Sequence, residues 1–199
     1  MCATLATRKD PASELAYAVE LLNRVLDGLP ASIRTGLHVC RGNWSRREEV
    51  LITGDYQPLV PCFQAMNVQQ LVLEYATPRA GELAVIGRAL GDREIGLGCV
   101  NPRTGEAETP ESIVARAREA LQFWKPEHIF LNPDCGFGCF ANRCVNDEAT
   151  ATAKLHSMAN NQPPNHHSSQ CTSTANAQGS PTANPQAVQA WRLSPASRV

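Results

Sequence analysis

The chain has 199 residues, 43% of them apolar, and a formal net charge of −1, which predicts one domain with a packed core and room for a tail. The near-neutral balance, with no basic stripe interleaved with aromatic residues, speaks against a nucleic-acid partner. No apolar run reaches the roughly 20 residues of a membrane span, and the first seven residues are too short and too weakly apolar for a secretory leader, so the expected location is cytoplasmic.

Asp10-Pro11 predicts a helix start, with Asp as cap and Pro at the first helical position. Leu15, Ala18, Val19, Leu22, Val25 and Leu26 then recur at helical spacing, and Gly28-Leu29-Pro30 ends the run. A strand is expected over 35–40, a polar loop over 41–49 and a helix over 58–65. A strand over 68–75, a short helix over 81–90 and a strand over 94–100 follow. Thr109-Pro110-Glu111 opens a helix with Ile113, Val114, Ala117, Leu121 and Trp124 on one face, stopped by Lys125-Pro126. A fourth strand is expected over 128–131 and a last helix over 147–159. From 161 to 199 the chain turns to Ser, Thr, Asn, Gln and Pro, a composition that buries too little apolar surface to offset chain entropy; it reads as a disordered tail, with a transient helical turn over 187–193.

Short apolar strands alternating with helices imply βαβ units and a parallel sheet. About four such units amount to half of a (β/α)8 barrel, whose usual length is about 250 residues. Pattern alone does not separate half a barrel from a small open α/β sheet.

Three strand ends carry unusual residues. In His38-Val39-Cys40 the two outer side chains share a face, roughly 7 Å apart along the backbone, close enough to converge on one ion. On its own the pair reads equally as a buried Cys beside a satisfied His. Glu74 closes the apolar run Leu71-Val72-Leu73 and needs a partner if buried: a metal or a salt bridge. Cys135 sits in Asn132-Pro133-Asp134-Cys135-Gly136, where Pro and Gly impose a turn that is itself open to a structural reading. All three lie at the C-terminal ends of parallel strands, where α/β proteins build their sites. One His, two Cys and one Glu suit tetrahedral zinc better than magnesium or calcium. With eight cysteines and no leader, metal binding or burial is a better reading than disulfides.

The segments 37–43, 73–75, 98–106 and 131–137 occur in an order that resembles the C-terminal catalytic barrel of the cobalamin-independent methionine synthase family and its short single-barrel relatives, over residues 10–160. The resemblance implies a partial TIM barrel spanning 1–160, with the first half of the barrel outside this sequence. It implies Zn2+ held by His38, Cys40, Glu74 and Cys135. The implied reaction moves a methyl group from 5-methyltetrahydrofolate, as its polyglutamate, to the thiol of homocysteine, giving methionine. Glu74, the hardest ligand, is then expected to move aside when the substrate thiol arrives. Position 76 holds Ala where the short relatives are expected to carry Asp.

Asn101, Arg103 and Asp134 border this site and are candidate substrate contacts. Arg41 and Arg79 also follow strand ends; each arginine is either a contact for a substrate carboxylate or a solvated loop residue. Cys62 and Cys99 read as small core residues. Cys139 and Cys144 read as core or surface thiols, their spacing being wide for a zinc knuckle. His128 reads as a surface residue, His156 as structural and His166-His167 as a tail dipeptide. Two alternatives stand beside methyl transfer to homocysteine: another zinc-thiolate alkyl transfer, and an inactive zinc-binding fragment. Half a barrel leaves two sheet edges open, so self-association or pairing with the other half is expected; no nucleic acid or membrane partner is.

Overall fold

The structure is a computed structural model and describes residues 10–140, 143–159 and 191–192. Helix α1 (Pro11–Asp27) begins where the sequence predicts, with the Asp10 carboxylate accepting from the Ser13 amide at 3.4 Å. Strand β1 (Gly36–Val39) is followed by a long loop, a 3-10 turn (Gln57–Leu59) and helix α2 (Val60–Ala65). Strand β2 (Gln70–Leu73), helix α3 (Leu83–Leu90), strand β3 (Glu94–Val100), helix α4 (Pro110–Ala120) and strand β4 (Ile129–Pro133) complete the repeating part. A small hairpin, β5 (Gly138–Phe140) with β6 (Arg143–Cys144), intervenes before helix α5 (Glu148–Ala159).

Strands β1 to β4 are parallel and lie in chain order, with His38 beside Val72, Val72 beside Gly96 and Gly96 beside Phe130. Parallel crossovers are right-handed almost without exception, so an order that never reverses puts the crossover helices on one face. That is how a barrel wall is built, whereas a doubly wound sheet reverses its order and carries helices on both faces. The opposite face is the one a closed barrel turns inward. It carries His38, Val72 and Gly96 in one row.

The core lies between sheet and helices. Leu71, Leu73, Ile95, Leu97, Ile129 and Leu131 pack against Phe63, Leu83, Ile86, Ile113, Ala117 and Trp124. Two large residues from the expected helix faces are exposed instead of packed on it. Val25 is 69% exposed, because it falls near the edge of the stripe set by Leu15, Val19, Leu22 and Leu26. Leu121 is 43% exposed, because α4 stops at Ala120 and the chain turns before completing that face.

The expected tail, 161–199, lies almost wholly outside the described residues. Its described part, β7 (Trp191–Arg192), runs antiparallel to β4 at Leu131 and Phe130, in place of the anticipated helical turn. Cys2, Cys171 and His166-His167 also lie outside, as does the side chain of Cys139. Among the described residues no helix is long and apolar enough to cross a membrane.

Leu97 sits in the middle of β3 with no exposed surface. Replacing it with Ala removes buried methylenes and leaves a cavity, so Leu97→Ala is expected to lower stability by about 2–5 kcal/mol. Urea unfolding should show a lower midpoint with an unchanged slope.

Candidate metal centre

Three of the four residues singled out as metal ligands come together. One donor atom each from His38, Cys40 and Cys135 lies within 4.8 Å of the other two. The two sulfurs are 3.7 Å apart. Sulfurs each about 2.3 Å from one tetrahedral ion would be about 3.8 Å apart, so the thiols already have the spacing of a shared ligand edge. Glu74 is the fourth. Its Oε1 is 3.4 Å from Cys40 Sγ, but it is not within the compact group, and its Oε2 accepts from both the Arg41 amide (3.3 Å) and Arg41 Nε (3.0 Å).

The backbone explains this convergence. His38 lies on β1, with its Nδ1 3.1 Å from the Val72 carbonyl of the neighbouring strand. Cys40 is the next residue on the same face, just past the strand end, and its Sγ accepts from the Gly42 amide at 3.2 Å. Gly42 has φ +115°, a conformation that favours glycine, and it turns the chain so that its amide faces back to the sulfur. Cys135 arrives from the turn after β4.

Two buried side chains fix these strand ends relative to one another. The Tyr56 hydroxyl donates to Val39 O (3.1 Å) and accepts from the Glu74 amide (3.0 Å), tying β1 to β2. Asp134 Oδ1 accepts from the Tyr75 (2.9 Å) and Ala76 (2.8 Å) amides, tying β4 to β2 across β3. It reaches them over Gly98, where a Cβ would run into the Asp134 carboxylate and fall 2.7 Å from Leu73 O.

The arginines are not solvated loop residues. Arg41 and Arg103 are 5% and 3% exposed, which decides against that reading. Arg103 donates through Nε to Glu48 (2.8 Å) and lies 3.8 Å from Glu74 and 3.6 Å from Asp134. Arg79 pairs with the same Glu48 at 3.7 Å. Asn101 is buried and orders this loop, its Oδ1 accepting from the Arg103 amide at 3.0 Å. The sequence reading missed Glu48, which joins Arg79, Asn101 and Arg103. It also missed Lys154 of α5, fully buried with its Nζ on Glu108 (3.1 Å), Thr104 (3.0 Å) and the Glu106 carbonyl.

These surroundings shift the ionisable groups. Burial pushes the Asp134 carboxyl up to about 7, against the pull of its backbone hydrogen bond, and the nearby Glu74 carboxylate adds to the rise. The Cys40 thiol is raised by its contact with the Cys135 thiol and by partial loss of water. The hydrogen bond with Cys40 raises His38. Two touching sulfurs resist ionising together, whereas a cation between them favours the thiolates. Of the thiols expected in the core, Cys99 is buried and Cys62 partly buried.

A family model described as the catalytic domain of cobalamin-independent synthase matches residues 4–161. The chain belongs to the cobalamin-independent methionine synthase family. It is 31% identical over 123 residues to a methionine synthase of Thermococcus kodakarensis and 32% identical over 123 residues to one of Pyrococcus abyssi. Each alignment covers 62% of this chain and 32% of the relative, so the matched part is about a third of those proteins. Among solved structures, a B12-independent methionine synthase from Shewanella sp. W3-18-1, in complex with selenomethionine, superposes with a TM-score of 0.60. That match has 17% identity and covers 73% of this chain and 42% of the other, which places the sheet as part of a TIM-barrel wall.

The crossing at Gly98 yields a paired prediction. Gly98→Ala must separate β2, β3 and the Asp134 turn and is expected to cost about 1–3 kcal/mol. Gly105→Ala, where an added Cβ meets nothing within 4 Å, should stay within about 0.5 kcal/mol of wild type. Thermal unfolding of both variants checks the contrast.

Proposed function

We propose that this chain carries the zinc-binding part of an S-methyltransferase that moves a methyl group from 5-methyltetrahydrofolate to the thiol of homocysteine. The observation that supports this reading best is the meeting of His38, Cys40 and Cys135 at the C-terminal end of the sheet, with sulfurs spaced as two ligands of one tetrahedral ion. The donor set is right for zinc: two thiols and an imidazole, with the Glu74 carboxylate 3.4 Å from Cys40 as the fourth ligand. Family membership supports the reaction class, and the solved relative's complex with selenomethionine suits a methionine product. When bound, zinc would hold the homocysteine sulfur as a thiolate at neutral pH.

The chain's own residues do the rest. Cys40, Cys135 and His38 present their donors on one side of the strand ends. The Gly42 amide supports the Cys40 sulfur. Arg41 and Arg103 offset the Glu74 charge and hold that carboxylate beside the thiols, so a small rotation brings it to the ion or takes it away. In the transfer, a sulfur lone pair forms the S–CH3 bond as the N5–CH3 bond of the donor breaks. The bonding pair stays on N5, which takes up the proton the thiol gave up.

Elemental analysis of the purified chain tests the metal. One zinc per chain is expected in wild type, and loss of at least most of it in Cys135→Ser; a folded wild type without zinc would end the catalytic reading. Methyl transfer to homocysteine is the second assay. Zinc with no turnover would favour a metal-binding piece that works only with a complementary barrel half.

A further inference from the structure

Helix α1 is apolar on two faces, and the sheet uses only one of them. Leu15, Val19, Leu22 and Leu26 turn toward the core. Tyr17 (58% exposed), Leu21 and Val25 stand on a second face that points into water, centred about 130° round the helix from the first. Nine large apolar side chains are exposed among the described residues. Five of them follow at steps of four in one stretch, Tyr17, Leu21, Val25, Leu29 and Ile33, which is a concentration and not the usual scatter. An apolar helix surface wider than the stripe its core takes up is ordinarily buried against a further layer. The described residues supply no such layer here. The strand that α1 leads into, β1, ends the sheet, and Asn23, on the side of α1 away from the strip, is the residue that ties the helix to α2, donating to Ala65 O at 2.9 Å.

The strip carries its own complement. Glu14, Tyr17, Leu21 and Arg24 follow at spacings of three, four and three, the interval that lines up one seam of a helix against a second helix. Set two α1 helices antiparallel about a two-fold axis near Val19. Tyr17 of each copy then meets Leu21 of the other, and Glu14 of each meets Arg24 of the other. Opposite charges close both ends of an apolar centre. A parallel pair would set Glu14 on Glu14 and Arg24 on Arg24, which like-charge repulsion opposes. Arg24 is 72% exposed and pairs with Glu20 one turn back at 2.5 Å; a guanidinium has five N–H donors, enough for a second carboxylate. Such a contact uses the same patch on both copies and closes at two. We propose that the outer face of α1 is a dimer interface, occupied by α1 of a second copy of this chain in antiparallel register.

The test is the molar mass of the purified full chain by sedimentation equilibrium, from about 1 µM to about 200 µM. It compares wild type, Leu21→Lys, Arg24→Glu and the exchanged pair Glu14→Arg with Arg24→Glu. The altered side chains are all exposed, so each variant is expected to keep the far-ultraviolet circular dichroism of wild type. One helix face with its flanks is at the small end of specific interfaces, so the wild-type dimer should dissociate in the micromolar range. Leu21→Lys puts a charge into the apolar centre and is expected to weaken association by about tenfold or more. Arg24→Glu sets like charges together at both ends and should weaken it by a similar factor, and the exchanged pair should restore it. A wild type that stays monomeric through the range would overturn the proposal and assign the strip to the remainder of the barrel that the longer relatives contain. A dimer indifferent to Leu21→Lys would put the interface on another face and overturn it as well. A dimer weakened by Arg24→Glu but not restored by the exchange would overturn the antiparallel register.

Discussion

The site depends on a single carboxylate reaching across a strand. Asp134 leaves β4, passes over Gly98 and accepts the amides of Tyr75 and Ala76 at the end of β2. Those amides have run out of partners because β2 has ended, and Asp134 supplies the acceptor the ladder no longer provides. Cys135 is the next residue, so the bond that caps β2 also fixes where one sulfur stands relative to Glu74. Tyr56 does the same between β1 and β2 with a single hydroxyl. Two side chains thereby tie the ends of β1, β2 and β4 together, with Asp134 passing over Gly98 of β3.

Around that frame the charges are matched inward. Glu48, Glu74 and Asp134 face Arg41, Arg79 and Arg103 at distances of 2.8–3.8 Å. Most of this cluster is buried, where an unpaired charge is costly. The same pairing holds the Glu74 carboxylate on Arg41, with its Oε1 3.4 Å from the Cys40 sulfur. Lys154 extends the network to α5, joining the last helix to the 101–109 loop that carries Arg103.

Much of this was legible in the chain. The alternation of short apolar strands with capped helices foretold the four parallel strands, because hydrophobic period and cap chemistry are local, whereas their barrel order followed from the family resemblance and not from the pattern. His38 and Cys40 were legible as a pair because a strand places alternate residues on one face, and Cys135 because its Pro-Gly surroundings marked a turn at a strand end. Glu48, Tyr56 and Lys154 were not, since each acts on residues 17 to 55 positions away and no local spacing encodes such a meeting. Arg41 and Arg103 read as substrate contacts or solvated loop residues, because their carboxylate partners lie far away in sequence. Val25 and Leu121 were misplaced for a smaller reason: a helix face has an edge and an end.

Cys40 and Cys135 touch although 95 positions separate them along the chain. Whatever binds both sulfurs closes a loop that contains all three crossovers between the four parallel strands, from the end of β1 to the turn after β4. Closing so long a loop removes a large share of the conformations open to the unfolded chain. An ion gripped there would act as a clasp on the sheet, and its affinity would be tied to the cohesion of every strand between the two cysteines.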